Sequence, residues 1–284
     1  LGTVYFSVEL LLRIMEIDIL SYRLGGWPPP MGIEYSVDRL NAFVLVLISV
    51  VALLNLVAAK DKVKQMFHQK SGAFYALYIL FVTGLLGITV TGDVFNLYVL
   101  LEITALSGYA LIGLGKPHGA LAGLNYVFMG TIGASLYLLG VGYLYIATGS
   151  LNMADIASIL PNLPSTQPVV FAFILCLVGL FIKMALFPLH GWLPNAYSYS
   201  PSAAVGLIAP LTTKVMIYVM IRLVFSVFTP AFSFSNQILA NSIVIIASIA
   251  IIMGSFLALS QQNLSKMLAF IIVAEVGYMV GGFW

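Results

Sequence analysis

Long apolar runs, separated by short polar or Gly/Pro-rich stretches, dominate this 284-residue chain. A helix that crosses a membrane needs about 20 mainly apolar residues. Eight windows meet that requirement: 40–59, 73–92, 94–115, 119–147, 168–187, 201–228, 237–260 and 264–284. Strands of a membrane barrel alternate over about 10 residues, whereas residues 240–259 show no regular alternation. The pattern therefore predicts an all-α polytopic membrane protein, in which residues 1–14 are the tail of a further span.

Composition supports the same class. Hydrophobic residues make up 61% of the chain and charged residues 8%, against roughly 25% charged residues in soluble domains. So few charges exclude a soluble enzyme, a nucleic-acid-binding protein and a disordered chain. The single cysteine, Cys176, lies in an apolar run, which excludes a disulfide framework, a zinc site and an iron–sulfur cluster. No cofactor and no metal are expected.

The loops predict an orientation, because Lys and Arg favour the cytoplasmic side. The lysines of the candidate cytoplasmic loops are Lys60, Lys62, Lys64 and Lys70 in the first, Lys116 in the third and Lys266 at the start of the last span. The loops at 93, 148–167 and 229–236 contain no Lys or Arg and are expected to be external. Residues 25–35, GGWPPPMGIEY, are typical of an external hairpin.

Four charged residues lie inside the spans: Glu102, Lys183, Lys214 and Glu275. A charge in the bilayer interior costs at least about 2.5–3.5 kcal/mol and usually faces protein or a water path. Burial disfavours the charged form of both Glu and Lys, and an opposite charge restores it, so a buried Glu–Lys pair can exchange protons without a cofactor. The four residues are therefore predicted to form a proton or ion relay, with inert structural ion pairs as the alternative. Weaker candidates for the interior are Tyr98, Tyr109, Tyr126 and Asn125.

Lys183 precedes the segment FPLHGWLPNAY, in which Pro188 and Pro194 bracket His190. Two prolines six residues apart predict a broken helix, which membranes tolerate only beside a cavity or against protein. In a crossing over 168–198, Lys183 lies at the midpoint. His190 is a candidate proton carrier at neutral pH; alternatively, its ring only satisfies backbone carbonyls freed by the break.

Three stretches carry a resemblance to a known family: TGDVFNLYVLLEITALSGYALIGLG, FIKMALFPLHGWLPNAYSYSPSAAVGLIAPLTTKVMIYVMIRL and NLSKMLAFIIVAEVGYM. They resemble the antiporter-like subunits of Mrp cation/proton antiporters, respiratory complex I and membrane-bound hydrogenases. The combination of a helix glutamate, a lysine before a Pro-broken helix and a second lysine 31 residues later is highly specific. The resemblance extends over essentially the whole chain.

The resemblance implies an antiporter-like helical bundle with inverted repeats, of which this chain is a fragment cut at both ends. Its eight spans would be helices 3–10 of about fourteen, with residues 73–228 as the first five-helix repeat and 237–284 as the start of the second. Glu102, Lys183 and Lys214 would correspond to the family's proton-path residues on helices 5, 7 and 8. Glu275 would lie on the helix equivalent to that of Glu102. The charged residue of helix 12 would lie outside this chain.

The leading functional expectation is the D subunit of an Mrp-type Na⁺/H⁺ antiporter, which is part of a transporter rather than an enzyme by itself. The first alternative is a proton-pumping subunit of a complex I-like oxidoreductase or hydrogenase. The second is a structural membrane scaffold with inert buried ion pairs. The expected partners are other membrane subunits of one complex, protons, Na⁺ and the lipid bilayer of a prokaryotic cell membrane, and no nucleic acid.

Overall fold

A computed structural model describes residues 1–67, 70–114, 117–163 and 165–284. Of these residues 82% are helical, and among them eight helical segments are long and apolar enough to cross a membrane. These spans are Arg39–Phe67, Ser71–Val90, Val94–Gly113, Gly119–Thr148, Gln167–Met184, Ser202–Val227, Gln237–Leu259 and Leu264–Phe283. Each overlaps one predicted window, which confirms a multi-pass all-α membrane protein.

The elements follow one another in a simple order. Helix α1 (Gly2–Ile17) leads into strands β1 (Leu20–Arg23) and β2 (Glu34–Val37), then α2 (Arg39–Phe67), α3 (Ser71–Val90), α4 (Val94–Gly113) and α5 (Pro117–Thr148). The short α6 (Met153–Ile159) precedes α7 (Gln167–Met184), the short α8 (Leu193–Tyr199) and α9 (Ser202–Arg222), which ends in a π-helical turn at Leu223–Val227. The last elements are α10 (Thr229–Ser233), α11 (Gln237–Leu259) and α12 (Leu264–Phe283).

Short polar residues define where several spans begin. The side chain of Asp93 accepts a hydrogen bond from the backbone N–H of Asn96 at the start of α4. Asn236 and Asn263 accept two backbone N–H groups each at the starts of α11 and α12. Such caps satisfy the N–H groups that a helix leaves without an intrahelical partner, so these boundaries follow from the local sequence.

Two loop predictions were wrong in detail. Lys60, Lys62 and Lys64 lie in the last turns of α2 and not in a loop. The sequence AAKDKVKQMF consists mostly of good helix formers, and cations are favourable near a helix C-terminus, so α2 extends past its apolar window. The segment 148–167 also contains a helix, α6, which Asn152 caps. Lys116, the lysine predicted in the third loop, lies outside the described residues.

The predicted hairpin exists, and its strands pair antiparallel from Leu20↔Val37 to Arg23↔Glu34. Gly92 donates its backbone N–H to the carbonyl oxygen of Glu34 over 2.8 Å, and the Asn152 amide donates to the Glu34 carboxylate over 3.1 Å. These bonds hold the hairpin against the α3–α4 junction and the start of α6. We call this end of the bundle the hairpin end and the opposite end, where α2 finishes, the lysine end.

Arg222, the last residue of α9, joins this helix to Asp38, which directly precedes α2 at the hairpin end. Its guanidinium lies 2.6 Å from the carboxylate of Asp38 and donates over 2.8 Å to the hydroxyl of Tyr218. Burial alone would raise the pKa of Asp38, but the hydrogen bond from Arg222, with backbone bonds from Asn41 and Leu40, holds it below its usual value. Arg222 thus joins the end of α9 to the residue that precedes α2.

Helices α5 and α7 approach closely through glycines. A Cβ atom on Gly179 of α7 would lie 2.5 Å from the carbonyl oxygen of Gly133 and 2.9 Å from the amide nitrogen of Tyr137, both on α5. Small residues allow membrane helices to pack backbone against backbone, where association depends on van der Waals contact. This contact positions α7 and therefore Lys183.

Substitution Gly179→Val is expected to destabilise the protein, because its side chain would overlap backbone atoms that cannot rotate away. Overpacking costs about 1–3 kcal/mol in well-packed interiors. The measurement is the thermal unfolding midpoint of the purified full-length protein in detergent. Gly142→Val on α5 is the matched control, since apart from the neighbouring backbone of its own helix no heavy atom lies within 4 Å of its added Cβ. Equal midpoints for the two variants would contradict the close α5–α7 packing.

Candidate functional site

Glu102 and Lys183 form an ion pair inside the bundle. The Lys183 Nζ atom donates to Glu102 Oε1 over 3.2 Å, which joins α4 to α7. The lysine side chain is 7% exposed and the glutamate side chain 24%. In a buried ion pair, removal of either partner leaves an uncompensated charge in the interior, which is strongly unfavourable. The two side chains therefore stabilise each other in this position. The structure thus brings together two of the residues predicted from the sequence.

The end of α7 places Lys183 beside a break in the helix. Ala185 adopts a left-handed conformation with φ = 61° and ends the helix. The indole N–H of Trp192 donates over 3.0 Å to the Ile182 carbonyl oxygen, and Leu186 donates its backbone N–H over 2.9 Å to the carbonyl oxygen of Phe181. The predicted broken helix is confirmed, with Lys183 in the last turn before the break.

Pro188 and Pro194 were both predicted to interrupt the helix, but they have different positions in the structure. Pro188 lies within the break, but Pro194 lies in the first turn of α8. Proline is favourable there, because the first N–H groups of a helix have no intrahelical partner. Pro194 therefore begins the second half of the broken helix and does not interrupt a helix.

Lys183 is one of the residues that line a small cavity. Its volume is about 20 Å³, enough for one water molecule, which needs roughly 10–15 Å³. Its lining comes from α4, α5, α7 and α9: Leu101, Thr104, Ala105, Tyr109, Tyr126, Gly130, Lys183, Thr212 and Met216. The Trp192 ring stacks on Tyr126 at 4.1 Å, and Tyr126 meets the edge of Tyr109 at 4.5 Å. This aromatic stack packs beside the cavity.

Lys214 and Glu275 form a second pair, which joins α9 to α12. Lys214 Nζ lies 2.5 Å from Glu275 Oε2, and the side chains are 29% and 39% exposed. Lys214 lines a cavity of about 810 Å³, whose walls include Ser200 and Ser265. Met66, near the lysine end of α2, also lines this cavity. The second pair is therefore more accessible than the first.

His190 contacts neither pair through any interaction found among the described residues. It lies in the break, where its ring stacks on Phe187 at 5.1 Å and meets the edge of Phe270 at 5.9 Å. Within the same residues, no group of three or more His, Cys, Asp or Glu side chains could hold a metal ion. The arrangement therefore contains two Glu–Lys ion pairs, and His190 lies apart from both.

Sequence reasoning missed some polar groups of the interior and misplaced one. Thr212 and Tyr197 are 6% and 4% exposed and lie beside the two cavities. Neither is charged, so a search for intramembrane charges does not find them. Tyr109 and Tyr126 are buried as predicted, whereas Asn125 is exposed, so its predicted place in the interior was wrong.

Comparison with known proteins identifies the family that this chain resembles. The family described as "NADH:quinone oxidoreductase/Mrp antiporter, TM" matches residues 91–284. The chain is 46% identical over 278 residues to the N subunit of the NADH-quinone oxidoreductase of Desulforudis audaxviator, covering 97% of this chain and 55% of the relative. It is 33% identical over 282 residues to the D subunit of the Na(+)/H(+) antiporter of Alkalihalophilus pseudofirmus, covering 99% and 56%.

Solved structures show the same likeness. A chain of the Mrp complex from Dietzia sp. DQ12-45-1b matches with a TM-score of 0.83 and 25% identity, over 99% of this chain and 51% of that one. A chain of the membrane-bound sulfane sulfur reductase, an archaeal respiratory membrane complex, matches with a TM-score of 0.87 and 28% identity, over 98% and 56%. The chain thus spans about half the length of the relatives it matches.

Proposed function

Because the chain belongs to the NADH:quinone oxidoreductase/Mrp antiporter membrane family, we propose that it is part of a proton-translocating subunit of a multisubunit membrane complex. One observation carries the proposal: the buried Glu102–Lys183 pair lies beside a break in α7 and a cavity with room for water. Intramembrane charges that face a protein interior mark ion and proton paths.

The chemistry of the pair is that of a releasable proton. A desolvated ammonium group keeps its proton most easily while a carboxylate neutralises it, and separation of the two favours loss of the proton. A lysine can deprotonate in such a site, whereas an arginine does not. Movement of Glu102 away from Lys183 would therefore release a proton from Nζ to water in the adjacent cavity.

We propose that proton movement is coupled to Na⁺ movement, in a Na⁺/H⁺ antiport of the Mrp type. The 33% identity to a relative named as the D subunit of a Na(+)/H(+) antiporter supports this choice. A second candidate, a proton-pumping subunit of a redox complex, is favoured by the 46% identity to a relative named as the N subunit of an NADH-quinone oxidoreductase. Under either function, the neighbouring membrane subunits would be the partners of this chain.

Vesicles that contain the complete complex separate the two candidates. Proton movement is followed with a pH-sensitive dye, first after an imposed Na⁺ gradient and then after addition of NADH and a quinone. Antiport predicts proton movement driven by Na⁺ without an electron donor. Movement that requires the electron donor favours the redox complex and contradicts antiport. Proton movement under neither condition would contradict both.

A further inference from the structure

An open groove of about 550 Å³ lies along α2, between α1 and α3, on the side of the bundle away from both Glu–Lys pairs. On α2 its lining extends from Ser49 to Lys60. Apolar side chains of the three helices form most of the lining: Leu1, Ala52, Leu53, Leu56, Val57, Ile79, Val82 and Leu86. We call this feature the α2 groove. Its wall is thus apolar over its length, with a lysine at one end.

Hydrogen bonds close the floor of the α2 groove and join α1 to α2 where its lining begins. The hydroxyl of Tyr78 donates to the carbonyl oxygen of Ala52 over 2.5 Å, and both residues line the groove. The hydroxyl of Ser49 lies 2.6 Å from that of Ser7 on α1. The groove therefore has a fixed wall and a closed end at Ser49, whereas Lys60 at its other end is exposed.

The length of the α2 groove matches one leaflet of a bilayer. Ser49 lies at the middle of the apolar window 40–59, and Lys60 directly follows that window. The segment from Ser49 to Lys60 rises about 16 Å at about 1.5 Å per residue. The hydrocarbon core is about 30 Å thick, so the groove extends from the midplane to the level of the head groups. An acyl chain of one leaflet occupies the same depth.

Two lysines give the head-group end of the groove a positive charge. Lys60 lines the groove, and Lys64 lies one turn further along the same face of α2. Both are exposed, and neither forms an ion pair with another residue in the part of the chain that the structure describes. Lysine stems lie along apolar surface while the ammonium group reaches the head groups. Basic sites between membrane helices bind anionic lipid head groups.

We propose that the α2 groove binds one acyl chain of an anionic phospholipid, whose phosphate group contacts Lys60 and Lys64. The apolar wall fits the chain, the closed end at Ser49 fits its length, and the two ammonium groups fit the charge of the head group. A helix that crosses the membrane fits less well, because it would extend past Ser49, where α1 lies against α2. This lipid site does not depend on the proposed function.

The substitution Lys60→Gln tests the head-group contact. The complete complex is equilibrated with vesicles of phosphatidylglycerol and phosphatidylcholine, and native mass spectrometry of the released subunit counts the lipids of each class that it retains. We expect Lys60→Gln to weaken the retention of phosphatidylglycerol about fivefold, the effect of one lysine near an anionic surface. Lys62→Gln is the control, since Lys62 is exposed but projects from another side of α2. It is expected to leave this retention unchanged.

The substitution Val57→Trp tests the acyl-chain contact, because the indole ring would occupy the groove. The subunit with this substitution is expected to retain one phosphatidylglycerol molecule fewer than the unaltered subunit. Leu54→Trp is the matched control. Leu54 is 64% exposed and Val57 is 69% exposed on the same helix, but Leu54 does not line the groove. The control is therefore expected to retain the unaltered number of lipids.

Two results would overturn the lipid site. Equal weakening by Lys60→Gln and Lys62→Gln would mean that surface charge alone attracts the lipid. Equal lipid numbers in Val57→Trp and Leu54→Trp would mean that the groove holds no lipid chain and is covered by protein. Neither result bears on Glu102 or Lys183, so the proposed function stands or fails by the transport assay alone.

Discussion

Replacement of Lys183 by alanine is expected to reduce proton movement by the complete complex at least about a hundredfold, the scale of effect seen when a proton-transferring side chain is removed. Alanine has no group that could accept or release a proton beside Glu102, which lies 3.2 Å from the ammonium group. The measurement is the initial rate of proton movement in vesicles at matched protein levels. Lys62→Ala is the control, since Lys62 is exposed near the end of α2.

Lost transport must be distinguished from lost folding, because removal of one partner of a buried pair costs about 3–5 kcal/mol. The double variant Lys183→Met/Glu102→Gln contains no unpaired charge and is expected to recover the assembly of the complex. It is expected to remain inactive in transport. Normal transport in this double variant would mean that the pair is an inert structural feature and that the chain serves as a scaffold at this position.

Substitution Glu102→Ala is expected to abolish proton movement to a similar extent, whereas Glu102→Asp is expected to retain part of it. Aspartate keeps the negative charge but is shorter by one methylene group, so its contact with Lys183 is weaker and not lost. The same vesicle assay measures both variants. Glu16→Ala is the control, because Glu16 is an exposed carboxylate on α1. Unaltered transport in Glu102→Ala would exclude Glu102 from the proton path.

The spans and the intramembrane charges could be predicted from the sequence, because both are extreme local signals. Each of the eight windows contains about the length that a bilayer requires, and the structure has a span at each. Glu102 and Lys183 stood out because a charge in an apolar run has a large cost. The assignment of 73–228 and 237–284 to two inverted repeats stays a prediction.

Other features depend on distant parts of the chain and could not be read from local patterns. The partner of Lys214 is Glu275, 61 residues away, and hydropathy gives no information on such pairing. The role of Arg222 depends on Asp38 at the start of α2, which only the packing of α2 against α9 brings near. Thr212 carries no charge, so its position beside Lys183 emerges only when α4, α5, α7 and α9 assemble around the cavity.

The central claim is that Lys183 carries a proton and does not only supply a positive charge. Lys183→Arg tests it most directly, because arginine keeps the charge opposite Glu102 but hardly ever deprotonates in proteins. The measurement is the rate of proton movement by the complete complex in vesicles, at equal levels of assembled protein. The account predicts that the arginine variant assembles normally and transports no faster than Lys183→Ala. Transport at the unaltered rate would contradict it, because a fixed positive charge would then be sufficient.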